Sequence, residues 1–91
     1  MYVYDIFLDM FPKIDLHGFD RESARVLTND FIDESVKLGH EKIIIIHGIG
    51  TGIVKDSVHN TLAKNKKVAS YKLDNHNVGC TVVTLKKEGS I

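Results

Sequence analysis

Four consecutive isoleucines, Ile43 to Ile46, run without a polar break into His47 and then into three glycines spaced two apart, Gly48, Gly50 and Gly52. An unalternated apolar run of this length is the pattern of a strand covered on both faces, placed centrally in a sheet with helical cover on each side. Its end is a loop with almost no side chains. Glycines there let the backbone take positive φ and approach a ligand closely. Val54, Val58 and Leu62 recur every fourth residue, so the loop empties into a second helix from about Ile53 to Lys64. Unpaired amides and the positive end of that helix dipole favour a phosphate, with Thr51 able to add a hydroxyl and Lys55 a charge one turn on. A tight strand-to-helix turn would explain one glycine; three in five residues point to an anion cradle.

The rest of the chain supplies neighbours for this unit. In KIDLHG, residues 13–18, Ile14 and Leu16 alternate with Asp15 and His17 as in a short strand ended by Gly18. Asp20 can cap a first helix with Glu22 in its first turn; Ala24, Leu27, Phe31 and Leu38 fall on one face and Gly39 stops it. After the second helix, VASYKLD alternates Ala69, Tyr71 and Leu73, CTVVTLK is β-branched, and NHNVG between them reads as a hairpin turn. The order βαβαββ predicts an α/β fold, a two-layer sandwich with a mixed four-stranded sheet and two main helices. This domain is expected over residues 13–91, after an aromatic-rich extension, residues 1–12, that lies across the domain or a neighbour.

Right-handed crossovers put the carboxyl ends of the first two strands along one sheet edge, where α/β folds bind ligands. Those ends read DLHG and HGIGTG. His47 follows the second strand, His17 stands at the equivalent position of the first, and Asp15 shares a face with His17 because side chains i and i+2 point together. A lone histidine is more often structural, but the matched pair marks Asp15, His17 and His47 as candidate catalytic residues. The phosphate would sit on Gly48, Gly50, Thr51, Gly52 and Lys55. The same three catalytic candidates could instead hold a catalytic zinc with an open position, although acid–base chemistry at a phosphate requires no cofactor. His40 and His59, the latter expected at the helix surface, carry no assigned role. His76 could touch a backbone phosphate, Cys80 reads as a small buried hydrophobe, and the Lys64–Lys67 run reads first as a solvated helix end and second as a phosphate contact.

Composition narrows the functional classes. A single cysteine forms no internal disulfide, no secretory signal pattern is present, and no apolar run approaches the roughly 20 residues of a membrane helix, so a cytoplasmic domain is expected. The 12 basic and 12 acidic residues cancel, which speaks against strong nonspecific nucleic-acid binding from charge alone. The charge is unevenly placed, however: most acids precede Lys42 and most bases follow it.

DLHG at Asp15 to Gly18, HGIGTG at His47 to Gly52 and GCTVVTL at Gly79 to Leu85 together resemble the Smr, or small MutS-related, domain over roughly residues 13–87. The resemblance implies a sandwich like the C-terminal domain of translation initiation factor three. It also implies nicking or single-strand endonuclease activity on DNA or RNA, including messenger RNA on stalled ribosomes, although some members only bind. By that resemblance Asp15 and His17 match the first motif's functional pair, and His47, Gly48, Gly50, Thr51 and Gly52 match the glycine-loop motif. Ile49 stands where the family often has Lys or Arg, and NVGCT replaces a stretch that usually carries paired glycines and Ala-Thr. Two rival readings are a non-catalytic nucleic-acid-binding module and a nucleotide-binding fold. The latter would use Asp74 as its ribose acid, but Ile53 stands where the dinucleotide fingerprint wants its third glycine.

Overall fold

The isoleucine run forms β2, Lys42–Ile46, in a computed structural model that describes residues 10–87. Around it stand β1 (Lys13–Asp15), α1 (Arg21–Lys37), α2 (Ile53–Lys64), β3 (Val68–Leu73) and β4 (Cys80–Leu85). The sheet order is β1-β2-β4-β3, with β1 parallel to β2 and the other neighbours antiparallel. The predicted mixed sheet and two helices are all present. Residues 1–9 of the expected extension and residues 88–91 lie outside the described part.

Both helices pack on one face of the sheet. Ala24, Ile32 and Val36 of α1 and Val54, Val58 and Leu62 of α2 meet Ile43, Ile45, Val83 and Leu85 of the central strands in one buried cluster. Each such Ile, Leu or Val side chain contributes roughly 1.5–3 kcal/mol when fully withdrawn from water. β2 is covered on both faces, as its sequence requires, but helices cover only one. On the other, buried Ile44 and Cys80 pack with Phe11, Ile46 and Val82.

Two expected core positions lie at the surface for local reasons. Leu38 is the C-cap of α1 rather than part of its inner stripe, and is exposed. Ala69 falls at a register shift between Val68 and Ser70 in the β3–β4 ladder, so the alternation expected of it slips and it too is exposed. Asp20 caps α1 as expected, its carboxylate accepting the Ser23 amide at 2.7 Å.

Candidate functional site

β1 and β2 end side by side, and their register decides what becomes of the two histidines. Asp15 pairs with Ile46, and the Leu16 amide donates to the Ile46 carbonyl at 2.7 Å. Leu16 therefore stands beside His47, and His17 one step further, beside Gly48. The two imidazoles are not equivalent. His17 has a side chain 69 % exposed, whereas His47 is only 4 % exposed.

Asp15 and His17 are in contact. One carboxylate oxygen, Oδ1, lies 2.5 Å from His17 Nδ1 and also accepts the His17 amide at 3.1 Å. The hydrogen bond from His17 holds the Asp15 carboxyl below the usual carboxylate range. Since an ionised carboxylate only accepts, Nδ1 carries the proton and Nε2 of the neutral ring keeps its lone pair.

His47 has both ring nitrogens engaged. Nδ1 lies 3.0 Å from the Gly48 carbonyl, and Nε2 lies 2.8 Å from Thr81 Oγ1 in β4. The same hydroxyl lies 2.8 Å from Nε2 of His59. The carbonyl can only accept, so His47 donates from Nδ1 and takes the Thr81 proton at Nε2, leaving the hydroxyl oxygen to accept from His59. Burial lowers the pKa of both imidazoles, and the charge of Lys55 lowers each further. His59, expected at the helix surface, is half-buried and stacks edge-on against Tyr71 with ring centroids 5.2 Å apart.

The glycine loop is anchored from the turn that leads into β4. Gly79 accepts the amides of His47 and Gly48 at 2.9 and 3.0 Å, so the Gly48 amide is committed to the fold and not to a ligand. Gly48 has φ +80, and a Cβ there would stand 3.1 Å from the His17 Cβ, so a side chain would be strained in its backbone and would press on the exposed histidine. Among the described residues the amides of Gly50, Thr51 and Gly52 make no hydrogen bond. Gly52 is the N-cap of α2 and offers no side-chain cap; apart from a long 3.4 Å bond from the Ile53 amide to Thr51 Oγ1, that helix end is open to an anion.

A cavity of about 470 Å³ lies over this loop, lined by His17, His47, the loop from Gly48 to Gly52, and the segment from Gly18 to Arg21. Lys55 is absent from its wall; it is half-buried and acts on the two buried imidazoles instead. Two lining residues had gone unassigned in the sequence. Arg21, at the start of α1, is bonded to Asp56 at 2.8 Å, and Phe19 exposes its ring. Their only signal was proximity to DLHG, which does not specify direction. Ile49 is 73 % exposed at the lip, an apolar side chain where a cation would be useful.

The alternative uses of these residues find little support in the geometry. With His47 bonded to Gly48 and Thr81, it does not join Asp15 and His17 as a ligand set, and among the described residues no group of three or more His, Cys, Asp or Glu is placed to hold a metal. Asp74 accepts the amides of His76 and Asn77 at 2.9 and 2.8 Å, so its carboxylate caps the hairpin turn rather than awaiting a ribose. Cys80 is buried, and burial pushes its thiol pKa up, the behaviour of a packing residue. No helix among the described residues is long and apolar enough to cross a membrane.

Comparison with known proteins bears on family and fold. The family model described as the Smr domain matches residues 14–86. Endonuclease MutS2 of Clostridium acetobutylicum is 40% identical over 73 residues, covering 80% of this chain and 9% of that protein. Endonuclease MutS2 of Clostridium novyi is 36% identical over 77 residues, covering 81% of this chain and 10% of that protein. The chain thus spans about a tenth of these relatives' length. The crystal structure of the Smr domain of Thermus thermophilus MutS2 superposes with a TM-score of 0.79 at 27% identity, covering 82% of this chain and 98% of that one. YdaL, a stand-alone small MutS-related protein from Escherichia coli, gives 0.74 at 27% identity, covering 82% and 64%.

Proposed function

The chain belongs to the Smr domain family, and from that premise we propose that it binds single-stranded nucleic acid at the glycine loop and cleaves its phosphodiester backbone with the Asp15–His17 pair. The observation that carries this reading is the Nδ1 contact of His17 to the Asp15 carboxylate, which leaves Nε2 as an exposed base beside an open helix end. The phosphate rests on the amides of Gly50, Thr51 and Gly52, with the Thr51 hydroxyl and the Arg21 guanidinium near it. Phe19 offers an aromatic face on which a flanking base can stack.

On RNA, His17 Nε2 takes the proton of the neighbouring 2′-hydroxyl as that oxygen bonds to phosphorus and the bond to the 5′-oxygen breaks. The products are a 2′,3′-cyclic phosphate and a 5′-hydroxyl, whose oxygen takes its proton from solvent. The loop amides and helix end stabilise charge that grows on the phosphorane oxygens. Asp15 fixes the ring tautomer, as the third member of a catalytic triad does. DNA lacks the 2′-hydroxyl, and water would have to be activated in its place. His47, with both nitrogens already bonded, holds the loop. Exposed Ile49 favours the second reading, a module that binds without cutting, because it leaves the phosphate one cation short.

The test is purified protein with end-labelled single-stranded RNA, the matching DNA and a supercoiled plasmid, in EDTA and with Mg²⁺ or Mn²⁺. RNA cleavage in EDTA with a cyclic-phosphate end is expected, falling roughly 10²–10⁴-fold in His17→Ala and less steeply in Asp15→Asn. Retained binding with no cleavage under any condition would leave the binding-module reading standing, and undiminished cleavage by His17→Ala would remove the proposed base.

A further inference from the structure

A second cavity, of about 330 Å³, lies between α1 and α2 and shares one wall with the first, because Arg21 lines both. Each helix follows a strand of the parallel β1–β2 pair, so both begin at the sheet edge that carries the loop. The groove between them therefore starts at the cradle and leads away from it. On α1 its wall is Arg21, Arg25 and Asn29, one residue every fourth position, a stripe about 12 Å long at 1.5 Å rise per residue. On α2 the facing wall includes Asn60 and Lys64, again four apart. The helical period thus lays cations and amides along a concave track, where Asn29 Oδ1 accepts from Asn65 Nδ2 at 2.9 Å and Asn60 Nδ2 reaches Asp56 at 3.5 Å, leaving Asn29 Nδ2 and Asn60 Oδ1 for a ligand.

The groove's charges are available to a ligand. Glu22 is its one acid among the lining residues, and it pairs with Arg25, while Arg21 pairs with Asp56. All four side chains in these pairs are more than half exposed, where ion pairs are weak and exchange readily for a phosphate. Among the described residues Lys64 is in no ion pair. A cavity of this size is on the scale of a single nucleotide.

We infer that the α1–α2 groove is a binding site for the single-stranded nucleic acid flanking the phosphate in the cradle, with Arg25 and Lys64 on backbone phosphates and the Asn29 and Asn60 amides on base edges or sugar hydroxyls. The inference rests on the nucleic-acid reading above and extends the contact surface to helix positions outside the family's motifs. It makes Arg21 the hinge between two stretches of one strand: the nucleotide in the cradle and those that follow it.

The experiment is fluorescence anisotropy of a fluorescein-labelled 12-nucleotide RNA across a salt series, with wild type, the Arg25→Ala/Lys64→Ala double variant and Glu22→Gln. Each phosphate contact on a single strand contributes about 0.7 to the slope of log affinity against log salt, so losing two should flatten it by about 1.4. Lowering salt from about 200 to about 50 mM should then tighten wild type about sevenfold more than the double variant. Glu22→Gln frees Arg25 and should bind more tightly than wild type, a gain that misfolding cannot mimic. Equal slopes for wild type and double variant, or no gain in Glu22→Gln, would overturn the groove while leaving the cradle intact. Absence of binding by wild type to any oligonucleotide would overturn both readings.

Discussion

Replacing Thr81 by Val would test the connection between the buried interior and the loop. Thr81 is fully buried, and its hydroxyl bonds to both His47 and His59 at 2.8 Å. Valine keeps the shape and removes the one partner that His47 Nε2 has among the described residues, together with the acceptor for His59. A buried polar group left without a partner costs about 1–3 kcal/mol. His47 should bear most of that, and half-buried His59 can recover part of its share from water, so the expected loss is about 2–3 kcal/mol. For a domain of this size that corresponds to a fall in Tm of roughly 8–24 °C. Thr81→Ser keeps the hydroxyl and loses one methyl, about 1 kcal/mol. The assay is thermal unfolding followed by circular dichroism for all three proteins, with nitrogen-15 NMR of the imidazoles to read tautomers. Wild type and Thr81→Ser should show His47 protonated at Nδ1 and His59 at Nε2, and Thr81→Val should lose that fixed assignment. A valine variant as stable as the serine variant, with unchanged tautomers, would refute the hydrogen-bond chain.

Other expectations follow from single contacts. Thr28 is fully buried in α1 and its hydroxyl has no hydrogen-bond partner among the described residues, so Thr28→Val should stabilise the domain by about 1–2 kcal/mol in urea unfolding, whereas a loss would mean that the hydroxyl is satisfied in solution. Gly48→Ala combines φ +80 with a 3.1 Å approach to His17, and should lower stability by about 1–2 kcal/mol and displace the exposed imidazole, seen as shifted His17 ring resonances. The pH dependence has a definite sign. His47 and His59 have folded pKa values below the unfolded value near 6.5, so as pH falls through that value the unfolded chain takes up protons first and stability declines. Urea midpoints should therefore drop between pH 7.5 and 5.5, approximately, and the drop should shrink in His59→Gln. Asp15 acts at lower pH: its depressed carboxyl pKa adds stability above about pH 4 that is lost on further acidification, and Asp15→Asn should remove that component.

The fold was legible because its signals are local. The unbroken isoleucines, the fourfold spacing of Val54, Val58 and Leu62, and Asp20 before its helix each act within a few residues, and each formed the element it implied. The exposed pair was legible for the same reason, since Asp15 and His17 are two residues apart on one short strand. The His47–Thr81–His59 chain was not, because its contacts join positions 34 and 22 residues apart across β4 and α2. Nor could the sequence separate the two histidines. A one-residue difference in register buries one and exposes the other, and register depends on pairing between strands. Arg21 was hidden in a similar way: as the first residue of α1 it looks like any solvated charge until α2 packs beside it and Asp56 turns it toward the loop.

The Gly79 carbonyl, which holds the amides of His47 and Gly48 from the turn before the neighbouring strand, bears on how such a site could be moved or remodelled. A graft of residues 47–52 into another strand–loop–helix unit would carry the recognisable motif and leave behind the atom that shapes it. Transplanting the site therefore means transplanting two distant segments in register. In a library of variants, the hairpin from Asp74 to Gly79 should behave as part of the site, tolerant at its exposed tip and intolerant where it meets the loop.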